Sequence, residues 1–311
     1  MRLAASEMPP LSATTIDGTV HSVFRRVVNV RLGDGALLTL YASDDDRDPP
    51  GAITFAAPAD FDFSKHTTHG AVVACRAGVL RIDGSDVSID LRRARQRTPN
   101  SVEPSQGVTE AGFNASWRTA WRALITADGT AGLVVALYGR RPAGSLNAAL
   151  AGRARQTIPR LLAGARTNDI ETASAAAARL VGAGPGLTPS GDDFLAGFLI
   201  GARHIAGSRL QIAFLDALGR ELSMQYGNSG DIACAYLAHA AAGRAARPLA
   251  KLAEFITTGA SERDTETATD AAMQMGHSSG SDATFGLLCG LAAWHKDFAA
   301  RIEAELAEPG Q

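Results

Sequence analysis

Near residue 100 the chain changes character, and this change limits its fold more than any other feature. Before it, β-branched residues recur in short runs cut by turn signals: VFRRVVNVRL, GDG, ALLTLYA, DDDRDPPG and AITF, then AVVACRAG, VLRID and VSIDL. After it, unbranched residues of high helix propensity take over at helical spacing, as in ASWRTAWRALITA, SLNAALAGRARQTIPRLLAGA and DIETASAAAARLVGA. Strands and helices segregated in this way predict an α+β chain: an N-terminal antiparallel β domain, either a meander or a small barrel, then a mainly α-helical C-terminal domain. We place the β-rich domain at 11–97 and the helical domain at 113–308. The linker between them, 98–112, is polar and punctuated by Pro99, Pro104, Gly107 and Gly112. Asp34-Gly35 marks a hairpin. Residues 131–138, AGLVVALY, fit a strand or a buried helix, and the polar run 257–269 fits a surface loop or a helix entry.

With 30 Lys+Arg against 32 Asp+Glu the formal charge is -2, and aromatic residues make up 6% of the chain. Neither a basic field nor a base-stacking platform speaks for nucleic acid, so any anion site has to be local. The longest apolar stretches, such as FLAGFLIGA, fall short of a bilayer span, which excludes a membrane-crossing helix. The start MRLAASEMPPL meets Glu7 and two prolines before a signal-like core develops, and Cys75, Cys234 and Cys289 show no metal spacing; a reduced, cytoplasmic protein is expected.

The densest local signal is GAGPGLTPSGDDFLAGFLIG, residues 182–201. Gly182, Gly184 and Gly186 permit unusual backbone angles while Pro185 and Pro189 stiffen the path, so a fixed loop leads into a helix. Ser190 followed by Asp193 has the form of a capping box and predicts the helix start at the serine, with the amides of Gly191, Asp192 and Asp193 at its positive end. The same pattern opens two further helices, at Asn228-Ser229-Gly230-Asp231 and at Ser279-Gly280-Ser281-Asp282. Gly197 and Gly201 lie one turn apart, as do Gly286 and Gly290. Each interior glycine costs a helix about 1 kcal/mol against alanine, so their presence predicts close backbone packing between helices.

If those helices run parallel, their starts converge and supply donors for a phosphate or carboxylate. The candidate anion seat comprises Gly184, Gly186, Thr188, Ser190, Gly191 and Asp193 from the first segment, Asn228 and Ser229 from the second, and Ser278, Ser279 and Asp282 from the third. Asp192 is left over as a catalytic carboxylate able to hold Mg²⁺ through one or two oxygens. His277 is the candidate to protonate a leaving group or to bond an oxyanion. The bland alternative is that these serines, asparagine and aspartates are ordinary N-caps. GHSSG at 276–280 matches a nucleophile elbow, but the preceding DTETATDAAMQM looks helical where that device needs a strand. The run DDDRD at 44–48 is expected to be a solvated turn.

GAGPGLTPSGDDFLAG together with GHSSGSD and the N-terminal VHSVFRRVVNVRL resembles the AllH family, over a span from about Val20 to Trp294. At Asn228–Asp231 the resemblance would call for a Ser/Thr-rich segment instead. It implies a subunit of a catabolic carbamoyltransferase of allantoin degradation, converting oxalurate and phosphate to oxamate and carbamoyl phosphate with companion subunits. Two other functions stay open: a Mg²⁺-dependent hydrolase of a small phosphorylated or ribosylated metabolite, and a non-catalytic binding or assembly subunit. A homo-oligomer is compatible with all three.

Overall fold

A computed structural model describes residues 1–10, 16–43, 48–97, 109–129, 131–139 and 145–307. It divides into two units, Met1–Ser101 and Val102–Gln311. Residues 98–108 of the expected linker and Asp44–Arg47 of the acidic run lie outside the described residues.

The first unit is built from β1 (Arg2–Met8), β2 (Asp17–Val23), β3 (Val27–Leu32), β4 (Leu37–Tyr41), β5 (Ile53–Phe55), β6 (Val72–Arg76), β7 (Val79–Ile82), β8 (Ser88–Asp90) and β9 (Arg95–Gln96). The strand order is β5-β4-β3-β2-β6-β7-β8-β1-β9, and β5 also pairs with β1, so the first eight strands close on themselves as a barrel. Closure removes the free edges a flat meander would leave. Most pairings are antiparallel as expected, but β1–β8, β1–β9 and β4–β5 are parallel.

Alternation fills the barrel: Val20, Val28, Val30, Leu40, Ile53, Val73, Leu80 and Ile89 all point into one apolar core. Asp34-Gly35 does make the β3–β4 turn, with Gly35 at φ +87 and its amide on the Leu32 carbonyl. Three expectations need correction. VFRRVVNVRL is not one strand: the chain reverses at Phe24–Arg26, where the Phe24 amide bonds the Val27 carbonyl at 2.7 Å. That reversal brings Val20, Val28 and Val30 to the same interior. The barrel also uses β1, ahead of residue 11, whose Leu3 and Ala5 are buried in alternation. Asp48 of the acidic run is not solvated but buried, paired with Arg97.

The second unit holds α1 (Glu110–Thr126), α2 (Leu133–Tyr138), α3 (Ser145–Thr167), α4 (Ile170–Ala178), α5 (Ser190–Ile205), α6 (Arg209–Ser223), α7 (Asp231–Ala241), α8 (Arg247–Thr258), α9 (Glu262–Met273), α10 (Ser279–Ala292) and α11 (Lys296–Ala307). The ambiguous 131–138 is thus a buried helix, and the polar 257–269 carries the start of α9, capped by Ser261. Among the described residues no helix is long and apolar enough to cross a membrane.

The centre of this unit is the pair α5 and α10, each buried along nearly its whole length, as helices without a polar face must be. A Cβ placed on Gly197 would lie 1.9 Å from the Ala283 carbonyl oxygen, on Gly201 2.2 Å from that of Leu287, on Gly286 1.9 Å from that of Phe194, and on Gly290 2.3 Å from that of Phe198. Partners advance together along both chains, so the two helices run parallel with their backbones in contact. Phe194, Phe198 and Phe285 pack around this seam, and Trp117 seals one side by donating its indole N–H to the Leu288 carbonyl at 3.0 Å.

Candidate functional site

Parallel packing at glycine spacing forces α5 and α10 to begin at the same level, and the other segments gather there. The loop before α5 is fixed by Gly184 and Gly186, at φ +114 and +101. Gly184 lies directly against the amide and hydroxyl of Ser190, where a Cβ would meet the amide at 3.0 Å. Gly191 sits on the Leu180 carbonyl, 2.0 Å from where its Cβ would be.

None of the three expected N-caps forms. The residue before α5 is Pro189, before α7 Gly230 and before α10 Ser278, and none makes a side-chain cap bond. Ser190 and Ser279 each fall one position inside their helices, while Asn228 ends a short 3-10 turn with its side chain exposed. The polar side chains are used between segments instead. Asp192, 2% exposed, accepts from the Gly182 amide at 3.1 and 3.2 Å with its two oxygens and from the Ser229 hydroxyl at 2.5 Å. It therefore staples the loop and the α7 entry to α5, and the Asn228 carbonyl rests on Gly182.

Thr188 Oγ1 and Ser279 Oγ share a hydrogen bond of 2.8 Å between the loop and α10. Asp282, fully buried, accepts with Oδ1 from the amides of Leu133 at 2.7 Å and Val134 at 3.2 Å. It thus satisfies the first turn of α2, a partner 149 residues away in sequence. Gly132, at φ +100, lies so close to Asp282 that a Cβ there would be 2.7 Å from Oδ2 and 3.0 Å from the Ser278 Cβ.

The expected donors at the start of α5 are already spent: the Gly191 amide bonds the Ala183 carbonyl, and those of Asp192 and Asp193 bond Pro189. Among the described residues no acceptor answers the backbone amides of Gly184, Gly186, Leu187, Thr188 and Ser190. The N–H groups left for an outside acceptor are therefore those of the loop, interrupted by Pro185 and Pro189, and not those of the helix's first turn.

The electrostatics are dominated by carboxyls without a cationic partner among the described residues. Burial pushes Asp193 up to about 8, against the pull of the Ser279 and Thr188 hydroxyls and with the Asp282 charge adding to the push. Burial also raises Asp282 to about 7, offset by the Ser190 hydroxyl and the Val134 and Leu133 amides. Asp192 is raised by burial too, held back by Ser229 and Gly182. Near neutrality the two deepest acids thus carry protons for much of the time and repel an anion less than charged carboxylates would.

His277 is not brought in: it is exposed in the turn before α10 and, among the described residues, forms no hydrogen bond, ion pair or ring contact. The Mg²⁺ expectation for Asp192 does not fit, because both its oxygens accept protein N–H or O–H groups. Among the described residues no group of three His, Cys, Asp or Glu side chains stands in metal-binding array. Sequence reasoning missed Gly132 and the start of α2. Nothing in AGLVVALY announces that its first amides need a carboxylate from a distant helix.

Two family models match the chain: residues 180–291 match oxamate carbamoyltransferase subunit AllH, and residues 3–97 match the AllH family N-terminal domain. No curated protein and no solved structure matches it.

Proposed function

The chain belongs to the AllH family, described as subunits of oxamate carbamoyltransferase, and from that premise we propose that it seats the small anions of a carbamoyl transfer. The reaction is phosphorolysis of oxalurate to oxamate and carbamoyl phosphate, carried out with companion subunits. One observation carries the proposal: the residues matched to the transferase subunit, 180–291, enclose the loop, α5, α7 and α10, whose starts meet at one place.

The chemistry asks for a seat for phosphate, a seat for the substrate carboxylate and donors for the oxyanion at the carbamoyl carbon. The unanswered amides of the 184–190 loop, the Thr188 and Ser279 hydroxyls and a protonated Asp193 are donors of the right kind. They work without a basic surface, in keeping with the formal charge of -2. The Mg²⁺-dependent hydrolase is less well supported, since Asp192 is engaged as a staple.

The test is to incubate the chain with oxalurate and phosphate, alone and with its companion subunits, and to measure oxamate and carbamoyl phosphate. Product from the assembled complex is expected, and its absence with every partner present would refute the assignment. Turnover by the isolated chain would separate a catalytic subunit from an assembly subunit.

A further inference from the structure

Asp193 and Asp282 are 8% and 0% exposed, and in each the Oδ2 atom has no hydrogen-bond partner among the described residues. The titratable groups facing them are each other and Asp192. On the α7 side, Tyr226 and Cys234 face Asp192, and among the described residues no Lys, Arg or His acts on any of the three acids. Carboxyls kept out of water with no counter-cation hold a proton between them.

The two acids are not equivalent. Asp282 has Oδ1 committed to the α2 amides and Oδ2 packed on Gly132. Asp193 keeps some exposure and borders the Thr188 and Ser279 hydroxyls, which are half-buried and bonded to each other between the loop and α10. Each oxygen of that bond is a hydroxyl that can donate and accept.

We propose that Asp193 is the acid–base group of this site, exchanging a proton with the bound anion directly or through Thr188 and Ser279, with Asp282 as its positioning partner. The assignment of a step rests on the carbamoyl transfer proposed above. In that step a phosphate oxygen forms a bond to the carbamoyl carbon, and the bond from that carbon to the inner nitrogen breaks with its electron pair left on nitrogen. The nitrogen takes the proton of the Asp193 carboxyl to become the amide of oxamate. The attacking hydrogen phosphate gives up its own proton, which restores Asp193, so the cycle consumes none.

In the assembled transferase, kcat/KM for the parent chain should fall as pH rises through about 8, the value to which Asp193 is pushed. Asp193→Asn should lower kcat by about 10²–10⁴-fold and abolish that limb. Asp282→Asn, which removes the like charge, should move the limb to lower pH. A limb that stays in place in Asp193→Asn overturns the proposal.

Since a variant at a buried position can fail to fold, the parent chain carrying ¹³C-carboxyl aspartate is titrated by NMR in parallel. One carboxyl should titrate near 8 and shift on addition of inorganic phosphate; if all titrate in the ordinary carboxylate range, or phosphate moves none, the proposal is wrong. If that carboxyl behaves as expected but the complex converts no oxalurate, the carbamoyl-transfer assignment fails and the proton-exchanging acid stands.

Discussion

The α5–α10 seam allows a single substitution to be tested with opposite expected signs at two places. In Gly197→Ala the new Cβ would stand 1.9 Å from the Ala283 carbonyl oxygen and 2.8 Å from the Leu287 amide nitrogen. Both are backbone atoms of a helix buried on all sides, so neither can swing away. Restoring an ordinary contact of about 3.4 Å requires the helices to part by roughly 1.5 Å, which opens the packing of Phe194, Phe198 and Phe285 along the seam. Overpacking of this kind costs about 1–3 kcal/mol, more than the roughly 1 kcal/mol alanine returns through helix propensity. The Gly197→Ala chain should therefore lose up to about 2 kcal/mol, or up to about 8 °C in Tm for a unit of this size.

Gly152, inside α3, has nothing within 4 Å of its would-be Cβ. There only the propensity gain remains, and Gly152→Ala should raise stability by up to about 1 kcal/mol. Urea and thermal denaturation of parent and both variants give the comparison. If Gly197→Ala proves as stable as Gly152→Ala, the close backbone approach does not position these helices, and the convergence of their starts loses its cause.

Three more outcomes can be checked. Asp192→Ala leaves the Gly182 amide and Ser229 hydroxyl without their acceptor and should cost about 1–3 kcal/mol, with no response to added Mg²⁺; a metal-dependent Tm in the parent that this variant loses would contradict the staple role. Asp282, raised to about 7, binds its proton more tightly folded than unfolded, so its contribution is full below the ordinary carboxylate value of 3.8 and is lost as pH rises from there to about 7. Relative to Asp282→Asn, the parent should thus weaken over that window and level off above it, as followed by urea midpoints; a difference that does not change with pH would show that Asp282 titrates normally. His204, bonded to the Thr257 hydroxyl at 2.8 Å and pushed down to about 4 by burial, should support the fold above pH 6.5 and withdraw that support as pH falls towards 4. NMR titration of its ring checks this, and protonation near 6.5 would count against it.

Much of the architecture could be read from local chemistry because it is set by local chemistry. Period-two alternation of β-branched residues marks strands wherever they go, and the change to Ala/Leu/Arg near residue 100 separates barrel from helices before any contact is known. Gly197, Gly201, Gly286 and Gly290 announced a helix contact because interior glycine has a cost that only close approach offsets. Tertiary structure alone decided the use of the polar residues at the helix starts. Ser190, Ser279 and Asp282 are of the types that cap helices, and pattern alone assigns them to their own amides while leaving Asp192 over. Once α5 and α10 are locked side by side, those oxygens lie closer to donors from other segments: Gly182 and Ser229 for Asp192, Leu133 and Val134 for Asp282. A hydrogen bond is indifferent to separation along the chain, and so is the burial that raises Asp193 and Asp282. Spacing cannot report either one, because both follow from which groups the folded backbone brings together and which it leaves without water.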